Sequence, residues 1–250
     1  MTKKYVVYTA LFGGYDVLPD ITSNKSSLID YVCFTDSDLC DAKGWNVVKV
    51  DWGSEQLTPA MMNRYFKLHP HVELSGYTFS LYVDANIKIN SNLLSFFKKY
   101  EADNNFCMPK HSERDCVYKE AKECIIQRKE NEEIILQQMR AYKREGMPEH
   151  YGLGENNILF RVHNNEFVIK LMTDWWAELQ TKSKRDQLSL AYVLWKNGMK
   201  FSFLEETCRN INPYFAFQPH KSHLERNFHK KLIDKLNIYF RRIRYAHWCP

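Results

Sequence analysis

Four short runs of β-branched and aromatic residues constrain the fold of this chain more than any other feature. Each run is followed within three residues by glycine or aspartate, as expected at the end of a strand. The runs are residues 5–10, 30–35, 45–50 and 78–83. Continuous apolar runs of this kind are typical of strands buried on both faces of a parallel sheet. Residues 59–72 separate the last two runs and have a helical period, with Thr58 as a cap and Pro59 at the first helical position.

The rest of the chain continues this alternation of strands and helices. Residues 116–145 are dense in Glu, Lys, Gln and Arg and contain neither Gly nor Pro, which predicts helix. A strand is expected at residues 157–162, and helices are expected at 165–179 and 188–195. The pattern predicts an α/β fold with a mainly parallel central sheet flanked by helices.

Composition limits the number of domains and the class of partner. The chain has 250 residues, of which 44% are hydrophobic, and this is long enough for one large core. We expect one domain over residues 1–228 and a basic, amphipathic, helical tail over residues 229–250. The formal net charge of +5 is modest, and basic residues are concentrated only in the tail. This distribution argues against a protein dedicated to nucleic-acid binding.

The cysteines and the amino terminus bear on the compartment. The seven cysteines form an odd set without CxxC spacing, so neither a disulfide framework nor a zinc finger is indicated. The first apolar run reaches Gly13 too early for a signal peptide. No stretch approaches the roughly 18 apolar residues that a spanning helix needs. We expect a cytoplasmic protein, either soluble or bound peripherally to the inner face of the plasma membrane.

A polar tripeptide, Asp84-Ala85-Asn86, follows the strand predicted at residues 78–83. Ligands of open α/β sheets bind beyond the carboxyl ends of the strands. If the backbone stays extended, Asp84 and Asn86 share one side while Ala85 turns away. Two oxygen ligands placed in this way suit a hard divalent cation. Diphosphate oxygens and water would complete the coordination shell of the cation. The competing interpretation is a strand-end turn that uses Asp and Asn for their turn chemistry.

The order of several short motifs resembles that of a known glycosyltransferase family. The motifs are residues 8–16 (YTALFGGYD), 33–36 (CFTD), 63–67 (NRYFK), 82–86 (YVDAN), 154–157 (GENN) and 184–189 (KRDQLS). Together they resemble GT-A glycosyltransferases, in particular the MUCI and TOD glycosyltransferase-like domain of pectin- and mucilage-related proteins, here of a bacterial polysaccharide-biosynthesis type. The resemblance covers roughly residues 5–220. It implies a single GT-A, Rossmann-like domain that transfers a sugar from a nucleoside-diphosphate sugar.

The resemblance also implies a binding site for the donor. The loop at residues 11–16 and the strand end at Asp36 would hold the nucleoside. Arg64 and Lys67 lie on one helical face, where they would reach the diphosphate or pair with Asp84; structural ion pairs are the alternative. The residues expected to bind the nucleotide sugar are Thr9, Ala10, Phe12, Tyr15, Asp36, Arg64, Lys67, Asp84, Ala85 and Lys221.

The same resemblance implies a catalytic pair, Asp186 and Gln187. In an inverting enzyme Asp186 would be the general base, and in a retaining enzyme Asp186 or Gln187 would position the acceptor or stabilise an oxocarbenium-like species. Asp186 also suits a helix N-cap, and both roles are compatible. The expected acceptor-binding residues are His111, Glu155, Asn156 and Arg185, with a plain polar loop as the alternative for His111.

A divalent cation, Mn²⁺ or Mg²⁺, is the expected cofactor. Its predicted ligands are Asp84, Asn86 and His220. The sequence departs here from the usual D-x-D pattern, because Asn86 replaces the second acidic residue and removes one negative charge. Either His220 or the donor phosphates compensate, or the enzyme depends less on metal.

The expected partners follow from this function. They are a nucleoside-diphosphate sugar, with uridine as the favoured base, and a glycan or lipid-linked glycan acceptor of the cell-surface polysaccharide or lipopolysaccharide type. The basic and aromatic tail suggests contact with an anionic membrane surface, with a helix packed on the domain as the alternative. Two other functions stay open: a hydrolase that pairs Asp84 with Asp186, and a non-catalytic module that binds carbohydrate or membrane.

Overall fold

The four strands predicted from the apolar runs form the centre of the fold. The computed structural model describes residues 3–51, 57–102, 104–219 and 228–246. For residues 3 and 228–232 it describes the backbone alone. The strands are β1 (Lys3–Leu11), β2 (Ile29–Thr35), β3 (Asn46–Lys49), β4 (Tyr77–Val83), β5 (Ile87–Ile89), β6 (Phe106–Pro109), β7 (Ile158–Arg161), β8 (Phe203–Leu204) and β9 (Phe215–Phe217). The helices are α1 (Pro59–Leu68), α2 (Pro70–Glu73), α3 (Leu94–Tyr100), α4 (Val117–Ile126), α5 (Glu132–Arg144), α6 (Glu166–Thr181), α7 (Asp186–Lys196) and α8 (Phe228–Arg244).

Seven strands form the central sheet in the order β3-β2-β1-β4-β7-β6-β8. Four of the six pairings are parallel, and β7 is antiparallel to both of its neighbours. The predicted α/β fold with a mainly parallel sheet is therefore confirmed. Because β7 runs in the opposite direction, the residues that precede it lie at the same edge of the sheet as the carboxyl ends of β1, β2 and β4.

Both faces of the sheet are covered, as the continuous apolar runs predicted. In β1, Val6 and Tyr8 face a core formed with helices α1, α4, α5, α6 and α7. Tyr5 and Val7 face a second core, which includes α3 and the small antiparallel sheet of β5 and β9. The central strands are thus anchored from two sides, which fixes the position of their carboxyl ends.

Two predicted helices are each divided in two. The helix expected at residues 59–72 is broken at His69, because Pro70 disfavours helical backbone in the residue before it. The stretch 116–145 contains α4 and α5, separated by a turn in which Arg128 has a φ of 52°. Asn131 begins α5, and its side chain accepts from the backbone N–H groups of the first turn.

The carboxyl-terminal helix α8 lies against α4 and α5. The Tyr245 hydroxyl, just beyond the helix, donates to Glu132 at 2.7 Å, and the Arg242 guanidinium lies 3.0 Å from a Glu123 oxygen. The predicted domain boundary at residue 228 stays a prediction. No helix in the described part of the chain has both the length and the apolar character needed to cross a membrane.

Candidate active site

A cavity of about 660 Å³ opens at the sheet edge where β1 and β4 end and β7 begins. Its wall comes from the β1 end loop, helix α1, the turn after β4, the loop before α4, the segment before β7, the start of α7 and the loop before β9. The lining residues that the sequence had indicated are Ala10, Phe12, Tyr15, Arg64, Lys67, Asp84, Ala85, Asn86, His111, Glu155, Asn156, Arg185, Asp186 and Gln187. Residues from widely separated motifs therefore meet in one place.

The loop after β1 is fixed by an aspartate from the neighbouring strand. The Gly13 N–H donates to both carboxylate oxygens of Asp36, at 3.2 and 3.0 Å. Gly13 has a φ of 67°, and a Cβ there would lie 2.8 Å from the Cβ of Pro59 at the start of α1. Glycine is therefore required both by the backbone conformation and by the space. The structure places Asp36 behind the loop and not among the residues that line the cavity.

The tripeptide after β4 forms a turn, so the expectation of an extended backbone is wrong. The Ile87 N–H donates to the Asp84 carbonyl oxygen at 2.9 Å, and the Asp84 N–H donates to the Asn157 carbonyl at 2.8 Å. The turn chemistry of Asp and Asn accounts for this geometry. All three residues, Asp84, Ala85 and Asn86, nevertheless line the cavity. The turn is thus the local structure that presents them.

A buried ion pair joins α1 to the start of α7. The Lys67 ammonium is 1% exposed and lies 2.7 Å from Asp186 Oδ2 and 3.6 Å from Asp84 Oδ1. Arg64, one turn earlier, reaches within 3.6 Å of Asp186 Oδ1. Asp84 Oδ1 also accepts from the Tyr82 hydroxyl at 2.8 Å. Asp84 and Asp186 therefore each have a basic side chain of α1 within 4 Å, so Arg64 and Lys67 take part in ion pairs.

The charges around Asp186 decide its protonation. Burial alone would raise the pKa of its carboxyl, but the positive charges of Arg64, Lys67 and Arg185 outweigh burial and hold the pKa well below its ordinary value. A carboxylate with so little affinity for a proton is a poor general base. Arg185 is the N-cap residue of α7, without a side-chain capping hydrogen bond, and Asp186 is the first helical residue, so the observed N-cap lies one position before the expected one.

The side of the cavity expected to hold the acceptor is formed by fixed polar groups. His111 Nδ1 accepts from the backbone N–H groups of Glu113 and Arg114, at 3.2 and 3.1 Å, and Nε2 lies 3.3 Å from Arg114 Nη2 and 3.5 Å from Glu120 Oε2. Burial lowers the pKa of His111, which keeps it neutral. Glu155 accepts from the Ser112 hydroxyl at 3.1 Å and from Arg209 at 2.7 Å.

Asn156 is a buried residue of the cavity lining. The residue is 4% exposed, yet neither its amide nitrogen nor its amide oxygen has a hydrogen-bond partner among the described residues. An unpaired buried polar group costs about 1–3 kcal/mol, and native proteins seldom retain one without reason. A sugar hydroxyl both donates and accepts, so it would satisfy an amide of this kind.

The sequence matches the model of one protein family, described as TOD1/MUCI70, glycosyltransferase-like domain, over residues 1–212. This is most of the chain. The chain belongs to the TOD1/MUCI70 family. Every lining residue of the cavity lies within the matched range except Phe217. No curated protein matches the chain significantly.

Membership of the TOD1/MUCI70 family confirms the resemblance inferred from the motifs and supports a glycosyltransferase. The description of the family names neither a bacterial origin nor a sugar donor nor an acceptor. Helix α8 lies beyond the matched residues.

Some predicted site residues of this TOD1/MUCI70 domain lie elsewhere. Thr9 is buried in β1, on the face opposite to Tyr8 and Ala10, and does not line the cavity. His220 and Lys221 lie outside the described residues. Their predicted roles stay untested.

Other lining residues were missed from the sequence. Asn63 was visible in the NRYFK motif, and its amide donates to the Ala10 carbonyl at 2.6 Å. Arg114, Lys129 and Arg209 have no motif of their own. They reach the cavity only through tertiary folding.

The described residues of the TOD1/MUCI70 domain include two of the three predicted metal ligands, Asp84 and Asn86. The described residues contain no group of three His, Cys, Asp or Glu side chains that could hold a metal ion. Of the predicted ligands, Asp84 is the one carboxylate, and an ammonium group already lies 3.6 Å from its Oδ1. Asn86 contributes no charge. The metal site that includes His220 stays a prediction.

Proposed function

We propose that this TOD1/MUCI70 domain transfers a sugar from a nucleoside-diphosphate sugar to a hydroxyl group of a glycan or lipid-linked glycan. Family membership supports the transferase class. The observation that carries the proposal is the group of basic side chains, Arg64, Lys67 and Arg185, in a large cavity beyond the carboxyl ends of β1 and β4. In open α/β sheets this is where ligands bind, and basic groups there suit a diphosphate.

The proposed donor site occupies the side of the cavity formed by the β1 loop, α1 and the turn at Asp84. Of the aromatic residues that line this side, Tyr15 is exposed and would stack on the base, whereas Phe12 is buried and stacks on Phe66. Arg64 is available to the diphosphate. As the bond to the sugar breaks, negative charge grows on the leaving diphosphate, and a fixed positive charge stabilises it.

The proposed acceptor site is the opposite side, with His111, Glu155 and Asn156 as hydrogen-bonding groups. Gln187 Nε2 donates to the Gly154 carbonyl at 3.4 Å and so connects the start of α7 to this side. We assign Asp186 a positioning role, because its lowered pKa and its ion pairs suit a fixed negative charge better than proton abstraction.

The same contacts disfavour a hydrolase that uses Asp84 and Asp186 as a pair. Such an enzyme needs one carboxyl group that stays protonated, with a raised pKa. The Lys67 ammonium lies near both carboxylates, and the pKa of Asp186 is lowered.

A screen with intact nucleotide sugars tests the transferase proposal. Purified full-length protein is incubated with a panel of uridine- and guanosine-diphosphate sugars and glycan acceptors, with and without Mn²⁺, and products are read by mass spectrometry. We expect an acceptor product that grows by one sugar residue. Absence of binding to every nucleoside diphosphate, with and without Mn²⁺, would remove the proposal.

We further propose that α8 lies against an anionic membrane surface. Its apolar residues Ile233, Leu236, Phe240 and Ile243 recur at three- and four-residue spacing, so they share one face, and each is at least 50% exposed. The opposite face, with Ile238, packs against the domain core. Basic side chains flank the exposed face, which suits anionic headgroups.

Vesicle sedimentation tests this surface. The full chain should pellet with vesicles that contain phosphatidylglycerol and stay in solution with pure phosphatidylcholine. The double variant Phe240→Ser and Ile243→Ser should lose this binding, whereas the control Ile211→Ser, at a fully exposed site off the helix, should retain it. Equal pelleting of the double variant and the wild type would reject the membrane proposal.

A further inference from the structure

We infer that the cavity holds the diphosphate of its donor through Arg64 and Arg185, with Lys67 as the fixed internal cation, and does not need a divalent metal ion for binding. This inference rests on the proposed function, since it concerns the same donor site. We call Arg64, Lys67 and Arg185 the cation cluster. Its members come from α1 and from the N-cap position of α7.

The groups around Asp186 carry a local excess of positive charge, although the cavity lining as a whole has six basic and six acidic side chains. The three members of the cation cluster surround Asp186, and Asp84 adds a second negative charge near Lys67. Three positive and two negative charges leave an excess of one positive charge. Coulomb interactions are strong at short range in a partly dry site. This local excess would repel a dication and would attract a diphosphate, which carries at least two negative charges.

Unused donor groups indicate where the anion lies. Arg64 donates through Nη1 to Asn63 and approaches Asp186 through Nη2, but its buried Nε has no partner among the described residues. The buried Nε of Arg185 is also without a partner in the described part of the chain. Both side chains line the cavity. A guanidinium group presents its N–H groups as a planar fork that matches phosphate oxygens.

The turn at Asp84 is poorly disposed toward a cation. One oxygen of Asp84 accepts from the Tyr82 hydroxyl and faces the Lys67 ammonium. The position that would carry the second acidic ligand is the neutral Asn86. The carboxylate of Asp84 is therefore in use as the partner of an internal cation, and the ammonium of Lys67 supplies the charge that a metal would otherwise bring.

Calorimetry with the full chain tests the inference. Uridine diphosphate and inorganic pyrophosphate are titrated in EDTA and, separately, in Mn²⁺. We expect uridine diphosphate to bind in EDTA with an affinity within about threefold of that in Mn²⁺. The variant Arg185→Gln should weaken binding in EDTA by about tenfold or more, because it removes a charge-assisted hydrogen bond. The control Arg140→Gln, at an exposed position on α5, should bind like the wild type.

Each contrary result has a distinct meaning. Binding that appears only with Mn²⁺ would overturn the inference and leave the proposed transferase function intact. Unchanged binding by Arg185→Gln would remove Arg185 from the donor site. Absence of binding in both buffers would remove the proposed function itself. If Arg185→Gln does not fold, as judged by circular dichroism, Arg185→Lys keeps the charge without the planar fork and should still weaken binding.

Discussion

Two buried cations lie near the end of α1 and differ in their partners. Arg161, on β7, is completely buried, and it donates to the Lys67 carbonyl at 2.7 Å and to the Tyr8 hydroxyl at 2.8 Å. Lys67 presents its ammonium to the carboxylates of Asp186 and Asp84 in the cavity wall. Arg161 therefore contacts neutral oxygen atoms, whereas the Lys67 ammonium contacts negatively charged carboxylates.

This difference separates a cation inside the fold from a cation in the cavity wall. Arg161 connects β7, β1 and α1 and does not line the cavity. Burial lowers its pKa, which measures how little its neutral partners compensate the charge. Lys67 is equally buried but has carboxylate partners at a wall that a ligand can reach. Loss of Arg161 should affect the fold, and loss of Lys67 should affect both fold and activity.

The largest effect is expected for Lys67→Met. The change leaves Asp186 buried with fewer positive charges, and removal of one partner of a buried pair costs roughly 3–5 kcal/mol. Sugar transfer should fall by about a hundredfold through loss of charge stabilisation in the transition state. Urea unfolding and initial rates measure the two effects. Wild-type activity in the folded variant would break the comparison.

Arg161→Met should destabilise the protein by about 2–3 kcal/mol, because the Tyr8 hydroxyl loses its donor and the Lys67 carbonyl keeps only the Tyr8 hydroxyl of its two donors. The protein that remains folded should bind uridine diphosphate as the wild type does. The measurement is calorimetry below the unfolding transition, with the folded fraction taken from circular dichroism. A selective loss of binding at unchanged stability would place Arg161 in the donor site.

The ion pairs of Asp186 predict a pH dependence. Its pKa is lowered in the folded state, so the unfolded chain binds the proton more readily. The stabilisation is complete above the unfolded pKa of about 3.9 and is lost as pH falls through the lower folded value. Asp186→Asn should be less stable than the wild type at pH 7, and this difference should shrink below about pH 4. A difference that is constant from pH 7 to pH 3, measured by urea unfolding, would contradict the assignment.

The smallest effect on stability is expected for Asn156→Ala. The amide is buried without partners among the described residues, so its removal should change the free energy of unfolding by less than about 1 kcal/mol. Sugar transfer should nevertheless fall by about tenfold, because the amide is expected to bind a hydroxyl group of the substrate. A loss of stability with unchanged activity would mean that Asn156 serves the fold.

The local chemistry of the sequence predicted much of the fold. Thr58 caps α1 as expected, with its hydroxyl accepting from Met61 N–H, and Pro59 occupies the first helical position. Strands β1, β2, β3, β4 and β7 were predicted from their apolar runs within a few residues of their ends. Strands β8 and β9 have two and three residues, and segments this short show no hydrophobic periodicity from which a strand could be predicted.

The sequence predicted which residues form the candidate site better than it predicted the contacts between them. Motif order brought Arg64, Lys67, Asp84 and Asp186 to attention, but the extended backbone assumed for Asp84 is a turn. The contact between Arg209 and Glu155, at 2.7 Å, joins residues 54 positions apart and has no local signal. The carboxylate of Asp36 accepts from the Gly13 N–H, a contact that the sequence did not indicate, and its nucleoside role stays a prediction. Such pairings depend on tertiary structure, which spacing alone does not determine.

A crystal structure of the full chain grown with uridine diphosphate, in the presence of Mn²⁺, tests the central claim most directly. The account predicts that the diphosphate lies beyond the carboxyl ends of β1 and β4, within hydrogen-bonding distance of the Arg64 and Arg185 guanidinium groups and beside the turn at Asp84. A diphosphate bound away from this strand edge, with the cation cluster unchanged and empty, would contradict it.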